Sequence, residues 1–170
     1  SDNMELEIAN YLNKVSEGRL SSESKLEIRG MLREVTEIES IGDSCYNLAR
    51  TINRKRSGGN DFTEKQYEHI HQMMQLTNDA LAHMIAVVED DHHVVDVNKS
   101  FNIENEINNY RAQLKNQNVV DVNNKEYDYQ MGVHYMDIIG ECEKLGDYVV
   151  NVVEARTNVK EKKTGDLQIV

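Results

Sequence analysis

The chain has no proline in 170 residues. Proline breaks helices from within, because it lacks a backbone N–H and its ring collides with the preceding turn. A chain without it, low in aromatic residues and with 29% charged residues, suits long uninterrupted helices better than strands and tight turns. Ile, Leu, Val and Met recur at helical spacing, which argues for a folded chain. Only 39% of the residues are hydrophobic, so the expected core is thin and elongated, as in a helical bundle. The length suits one domain, or two small halves sharing one core.

Five helices are predicted. Residues 3–16 carry Leu6, Ala9, Leu12 and Val15 at a spacing of three, and Gly18 stands where a helix stop is expected. Ser21 or Ser22 caps a long second helix with Ile28, Met31, Val35, Ile38, Cys45, Ala49 and Ile52 on its apolar stripe. That helix ends in Arg54-Lys55-Arg56, a basic tip suited to the negative end of the helix dipole. Ser57-Gly58-Gly59-Asn60-Asp61 is the clearest breaker and the boundary between halves. Thr63 caps a third helix to Glu89 with a methionine-rich stripe, and Asp90-Asp91-His92-His93 reads as a turn. A fourth helix is expected over 96–115, a polar loop over 116–124, and a last helix over 125–158. The organisation predicted is a first unit over 1–57, a linker at 58–62, a second unit over 63–158 and a frayed tail at 159–170.

Charge and cysteine content narrow the function. Nineteen basic against thirty acidic residues give a net charge of −11, which excludes a phosphate backbone as main partner; no nucleic-acid binding is expected. Cys45 and Cys142, both in sequence contexts that read as helical and buried, are too few for a disulfide framework and imply a reducing compartment. No stretch approaches the roughly 20 apolar residues of a membrane helix, and no signal peptide is visible. The expectation for the chain as given is a soluble one.

An internal repeat organises the chain. Glu39-Ser-Ile-Gly-Asp43 and Asn47 align with Glu143-Lys-Leu-Gly-Asp147 and Asn151 at an offset of 104. Upstream, Glu5-Leu-Glu-Ile-Ala-Asn-Tyr11 aligns with Glu104-Asn-Glu-Ile-Asn-Asn-Tyr110 at an offset of 99. The second unit has a preceding helix, 63–89, whose counterpart in the first unit would fall before residue 1. The chain therefore reads as two three-helix units, the first lacking its opening helix. The uncovered stripe predicts a homodimer.

Positions four apart share a helix face, so Glu39, Asp43 and Asn47 form one column and Glu143, Asp147 and Asn151 another. Gly42 and Gly146 lie on the stripe beside them, where a neighbouring helix can approach closely. Paired carboxylates repel unless something bridges them. Two bridges are open: a hard cation with oxygen ligands, or Arg and Lys side chains from facing helices.

The paired E-x-[IL]-G-D-x-x-x-N motif resembles the PhoU family, with Ser40 and Lys144 where that motif has Arg after the Glu. Glu104-Asn-Glu-Ile-Asn-Asn-Tyr-Arg-Ala-Gln-Leu, Tyr135-Met-Asp-Ile-Ile and Glu143-Lys-Leu-Gly-Asp resemble the PhoU-like carboxyl-terminal domain of bacterial sodium-phosphate cotransporters. The resemblance spans residues 3–158. It implies an all-α bundle following a transporter's membrane region, on the cytoplasmic side of the membrane, with a regulatory or accessory role in phosphate transport. It also implies binding of divalent or trivalent metal ions such as iron, zinc or magnesium. Carried over by position, the ligands would be Glu39, Asp43, Glu143 and Asp147, with Glu5 and Glu104 on the facing helices. Asp137 matches the family's Y-x-D-I pattern, and Ser100 stands where members often carry an acid.

Two other classes compete. A free-standing PhoU-like phosphate-signalling adaptor would differ in what precedes the chain. A ferritin-like di-metal protein is raised by Glu68-His-Ile-His71 and Glu89-Asp-Asp-His92, both E-x-x-H. Those two motifs fall on one predicted helix, about 31 Å apart at 1.5 Å per residue, too far to share a metal. No nucleophile with a base at motif spacing and no Gly-rich phosphate loop is visible, so no enzymatic activity is expected.

Overall fold

The computed structural model describes residues 2–56, 61–90 and 94–166. Most of the Ser57–Asp61 breaker, His92, His93 and residues 167–170 lie outside the described residues. The described residues form five α-helices and no strand: α1 (Asp2–Ser16), α2 (Ser22–Arg56), α3 (Glu64–Glu89), α4 (Asn98–Asn123) and α5 (Tyr129–Asp166). With 35 and 38 residues, α2 and α5 are each over about 50 Å long.

Caps set most of the boundaries. Ser21 Oγ accepts from the Ser24 amide at 3.1 Å, which makes Ser21 the α2 cap. Thr63 and Gln66 form a reciprocal capping box at the start of α3. Asp128 Oδ1 takes the Met131 amide at 2.7 Å and opens α5.

α5 is the hub, packing against α2, α3 and α4, while α1 packs only on α2. α2 and α5 run antiparallel. Arg33 meets Glu154 at 3.1 Å, and Asn151 Nδ2 donates to Glu37 Oε2 at 3.1 Å, so one helix climbs as the other descends. The core lies along α5, where Tyr135, Ile139, Cys142, Val149 and Val153 are sealed by Met73 of α3 and Ile107 of α4.

Four local expectations are corrected. The predicted loop 116–124 is helical through Asn123, because its polar side chains find partners: Gln117 Nε2 donates to Asp121 at 2.6 Å, and Asn118 accepts from Tyr127 at 3.1 Å. α5 accordingly begins at Tyr129 rather than Lys125. Its helical span also extends to Asp166, past the predicted end at residue 158, since Lys160-Glu-Lys-Lys163 are good helix formers. On α1 only Leu12 of the predicted face is buried, and Leu6 is exposed, because a spacing of three drifts around a helix of 3.6 residues per turn. Cys45 is exposed rather than buried.

Candidate functional site

The two carboxylate columns fall at corresponding places of the repeat, on α2 and on α5, each faced by the preceding short or middle helix. Their surroundings differ. In the first unit Glu39 is half-buried and Asp43 exposed, and the third acid beside them is Asp2 from the first turn of α1. One carboxylate oxygen from each lies within 4.8 Å of the others. Glu5 does not join them; it accepts from Thr36 Oγ1 at 3.2 Å.

In the second unit Glu143 meets the guanidinium of Arg111 on α4, with Nε 3.5 Å from Oε2. Burial raises the Glu143 pKa; Arg111 opposes this, Asp147 adds to it, Lys144 opposes it and Glu104 adds to it. Partial desolvation likewise raises Asp147, against the pull of Arg111. Glu104 accepts from Asn108 one turn further along its own helix. The acids here are close enough to feel one another, and a cation of the protein's own lies among them.

The repeat alignment explains the divergence. At the offset of 99, Arg111 corresponds to Leu12, Asn108 to Ala9 and Phe101 to Asp2. At the offset of 104, Thr36 corresponds to Gly140. Glu104 therefore has Asn108 where Glu5 has Thr36, and the second column has an arginine where the first has an apolar residue. Of the two bridges that the sequence left open, the ion pair is present at Glu143, and at Asp43 the acids of α1 and α2 gather on one side.

The remaining candidates lie apart from both columns. Asp137 is exposed. Ser100 is fully enclosed, and its Oγ has no hydrogen-bond partner, so this position offers a ligand no route to solvent. Glu68 and His71 sit on exposed turns of α3, Glu89 ends that helix, and His92 is outside the described residues. His69 bonds instead to the buried Tyr135 hydroxyl at 3.0 Å. Asp2 and Arg111, which decide the character of the two columns, were missed from sequence. Arg111 stands seven residues after Glu104, on the same face of α4, and that spacing was the available signal. Asp2 gave none, since its part depends on how far α1 slides along α2.

A family model described as the PhoU domain matches residues 70–155, half of the chain. The matched stretch contains Glu104, Arg111, Glu143 and Asp147 but neither Asp2, Glu39 nor Asp43. No curated protein and no solved structure matches.

Proposed function

The chain belongs to the PhoU family, and from that membership we propose that it is the cytosolic regulatory domain of a sodium-dependent phosphate cotransporter. A phosphate-related regulatory or accessory role goes with the family. The transporter context is supported by one observation, the run of motifs from Glu104 through Tyr135 to Asp147 that resembles the carboxyl-terminal domain of those cotransporters. Among the described residues no helix is long and apolar enough to cross a membrane; in this reading another part of the parent protein spans it, and this domain sits against that part on the cytoplasmic side.

The test is sodium-driven phosphate uptake in cells carrying the parent gene, intact or with this segment deleted. A deletion that changes the phosphate dependence of uptake while transporter abundance stays constant is the expected result. A parent reading frame without apolar segments of roughly 20 residues refutes the transporter context.

The cation part of the proposal is confined to the first unit. Asp2, Glu39 and Asp43 offer an all-oxygen donor set gathered within 4.8 Å, which suits a hard divalent or trivalent ion. Such an ion would supply positive charge that offsets the repulsion among the three carboxylates and ties α1 to α2. Glu143 and Asp147 do not fit one, because Arg111 already occupies their side. Melting curves with magnesium, zinc or ferrous iron, with and without chelator, test this. Wild type and Asp147→Asn are expected to melt higher with the ion, and Asp43→Asn to show no such shift. A wild type indifferent to all three ions refutes the site.

A further inference from the structure

Near the α4–α5 turn, polar side chains from three helices meet around a cavity of about 10 Å³. Gln66 and His69 reach it from α3, Asn118 and Asp121 from α4, Tyr127 from the turn and Tyr135 from α5. His69 and the Tyr135 hydroxyl are bonded to each other at 3.0 Å and close one wall. The space holds about one water molecule and nothing larger.

Gln66 is the group whose bonding the protein leaves incomplete. It is 2% exposed. Its Oε1 serves the cap of α3, accepting from the Thr63 amide at 3.0 Å and the Thr63 hydroxyl at 3.3 Å. A backbone amide can only donate, so the side-chain amide is fixed with its Nε2 on the other side, and that nitrogen has no hydrogen-bond partner. Gln66 nevertheless faces the Tyr127 hydroxyl. Burial pushes the Tyr127 pKa up to about 12, Asp121 adds to the rise and Gln66 opposes it. A donor and an oxygen that sense one another without a direct bond, beside a cavity of one-water size, describe a bridged contact. A dry amide there would lose its hydration with nothing regained.

The other side of the cavity offers acceptors. Tyr127 stays protonated at neutral pH and donates to Asn118 Oδ1 at 3.1 Å, so its oxygen can accept in turn. Asp121 Oδ1 takes Gln117 Nε2 at 2.6 Å, while Oδ2 has the long contacts of Tyr127 at 3.5 Å and Lys65 at 4.0 Å. Lys65 already balances the Asp121 charge. A cation would leave the Gln66 donor unanswered, and an anion would be set against the Asp121 carboxylate. Water accepts from an amide and donates to a carboxylate.

We propose that the α3–α4–α5 junction binds one internal water, which accepts from Gln66 Nε2 and donates to the Tyr127 oxygen and Asp121 Oδ2. It joins the cap of α3 to the end of α4 and to the turn that follows. The site is independent of the transporter and cation readings.

Magnetic relaxation dispersion of the water oxygen nucleus counts waters held inside a protein for longer than it tumbles. Gln66→Met and, separately, Tyr127→Phe are each expected to lower the amplitude of the full chain by one water, with helical circular dichroism unchanged. Tyr127→Phe leaves the α3 cap intact and so stands if Gln66→Met unfolds. Tyr129→Phe, at a tyrosine 75% exposed, is expected to change nothing. A nuclear Overhauser cross-peak between water and the Gln66 side-chain amide, with the sign of a long-lived contact, is expected in wild type and lost in Tyr127→Phe. Equal amplitudes in wild type and Tyr127→Phe overturn the proposal, as does a wild type without the cross-peak. A Tm that rises with sodium, ammonium or chloride at constant ionic strength in wild type but not in Tyr127→Phe overturns it in favour of an ion.

Discussion

Replacing the repeat's two glycines tests whether the paired motif marks one structural role or two. At Gly146 an added Cβ would lie 3.1 Å from Ile107 Cδ1, with Cγ2 at 3.6 Å and Cβ at 3.9 Å. Ile107 is fully enclosed, yet the contact is with the far end of its side chain. Gly146→Ala gains about 1 kcal/mol of helix propensity. It loses about 0.5–1.5 kcal/mol if Ile107 leaves its rotamer, so the net change lies within about 1 kcal/mol of zero. Gly146→Leu pushes three further carbons into Ile107, and overpacking of that kind costs about 1–3 kcal/mol or more. At about 2–4 °C per kcal/mol for a chain of this size, Gly146→Leu should melt roughly 4–8 °C lower. Gly42, at the same place in the first unit, is exposed and was expected from sequence to face a close neighbour. There Ala and Leu should both raise Tm, by up to about 4 °C, from propensity alone.

A double-mutant cycle isolates the contact. Ile107→Val removes Cδ1, the atom 3.1 Å from the added Cβ, and should cost about 0.5–1.5 kcal/mol alone. Combined with Gly146→Ala it should cost less than the sum by more than the ~0.3–0.5 kcal/mol scatter of independent sites. Thermal melts followed by circular dichroism at 222 nm measure all four corners. Additivity across the cycle, or equal Tm losses for Gly146→Leu and Gly42→Leu, would falsify the close-approach explanation.

Three further outcomes are expected. Lys125 sits at a φ of 63°, with its amide on the Val122 carbonyl at 3.1 Å and the Glu126 amide on Asp121 at 3.0 Å, a helix stop of the Schellman kind that favours glycine; Lys125→Gly should raise Tm by about 2–4 °C, corresponding to about 1 kcal/mol. Asp147 has a raised pKa in the fold because its charged form is desolvated, so the native state prefers it protonated. That stability is complete below the ordinary value of 3.8 and lost as pH rises through the raised one, so Asp147→Asn should stabilise at pH 7, with the gain vanishing towards pH 3 in melts across the range. Cys142 is enclosed and its thiol is pushed up to about 11 by burial, whereas Cys45 is exposed; a thiol reagent at pH 8 should modify one cysteine at once and the second only on unfolding.

The five helices were legible because apolar spacing survives in each and because Thr63 and the serines at 21 and 22 are strong caps. The end of α4 was not, since Asn116, Gln117 and Asn118 read as a loop until Asp121 and Tyr127 are seen to satisfy them. The candidate acids on α2 and α5 were legible from i, i+4 spacing alone. Their neighbours were not. Whether Asp2 or Glu5 reaches Asp43 depends on the register of α1 against α2, which the apolar pattern fixes only to within a turn. Gly42 and Gly146 look alike in sequence, and the difference between them lies in the enclosed Ile107 that α4 sets against Gly146, where α1 has the exposed Ile8.

The facing helices bear on the carboxylates as well. A motif of two acids one turn apart specifies a problem, the repulsion of like charges on one face, and leaves its solution to the facing helix. In the second unit α4 supplies Arg111, and the attraction is partly sheltered from solvent, since the Glu143 side chain is only 22% exposed. In the first unit α1 carries Leu12 at that place and adds Asp2, so the facing helix increases the negative charge instead of offsetting it. Asp2 and Asp43 are exposed, and water and mobile ions screen what α1 does not. Burial still raises the pKa of Glu143 and Asp147 against the pull of Arg111, so the arginine offsets only part of what the second column's charges cost, while Asp2 and Asp43 of the first lie open to solvent.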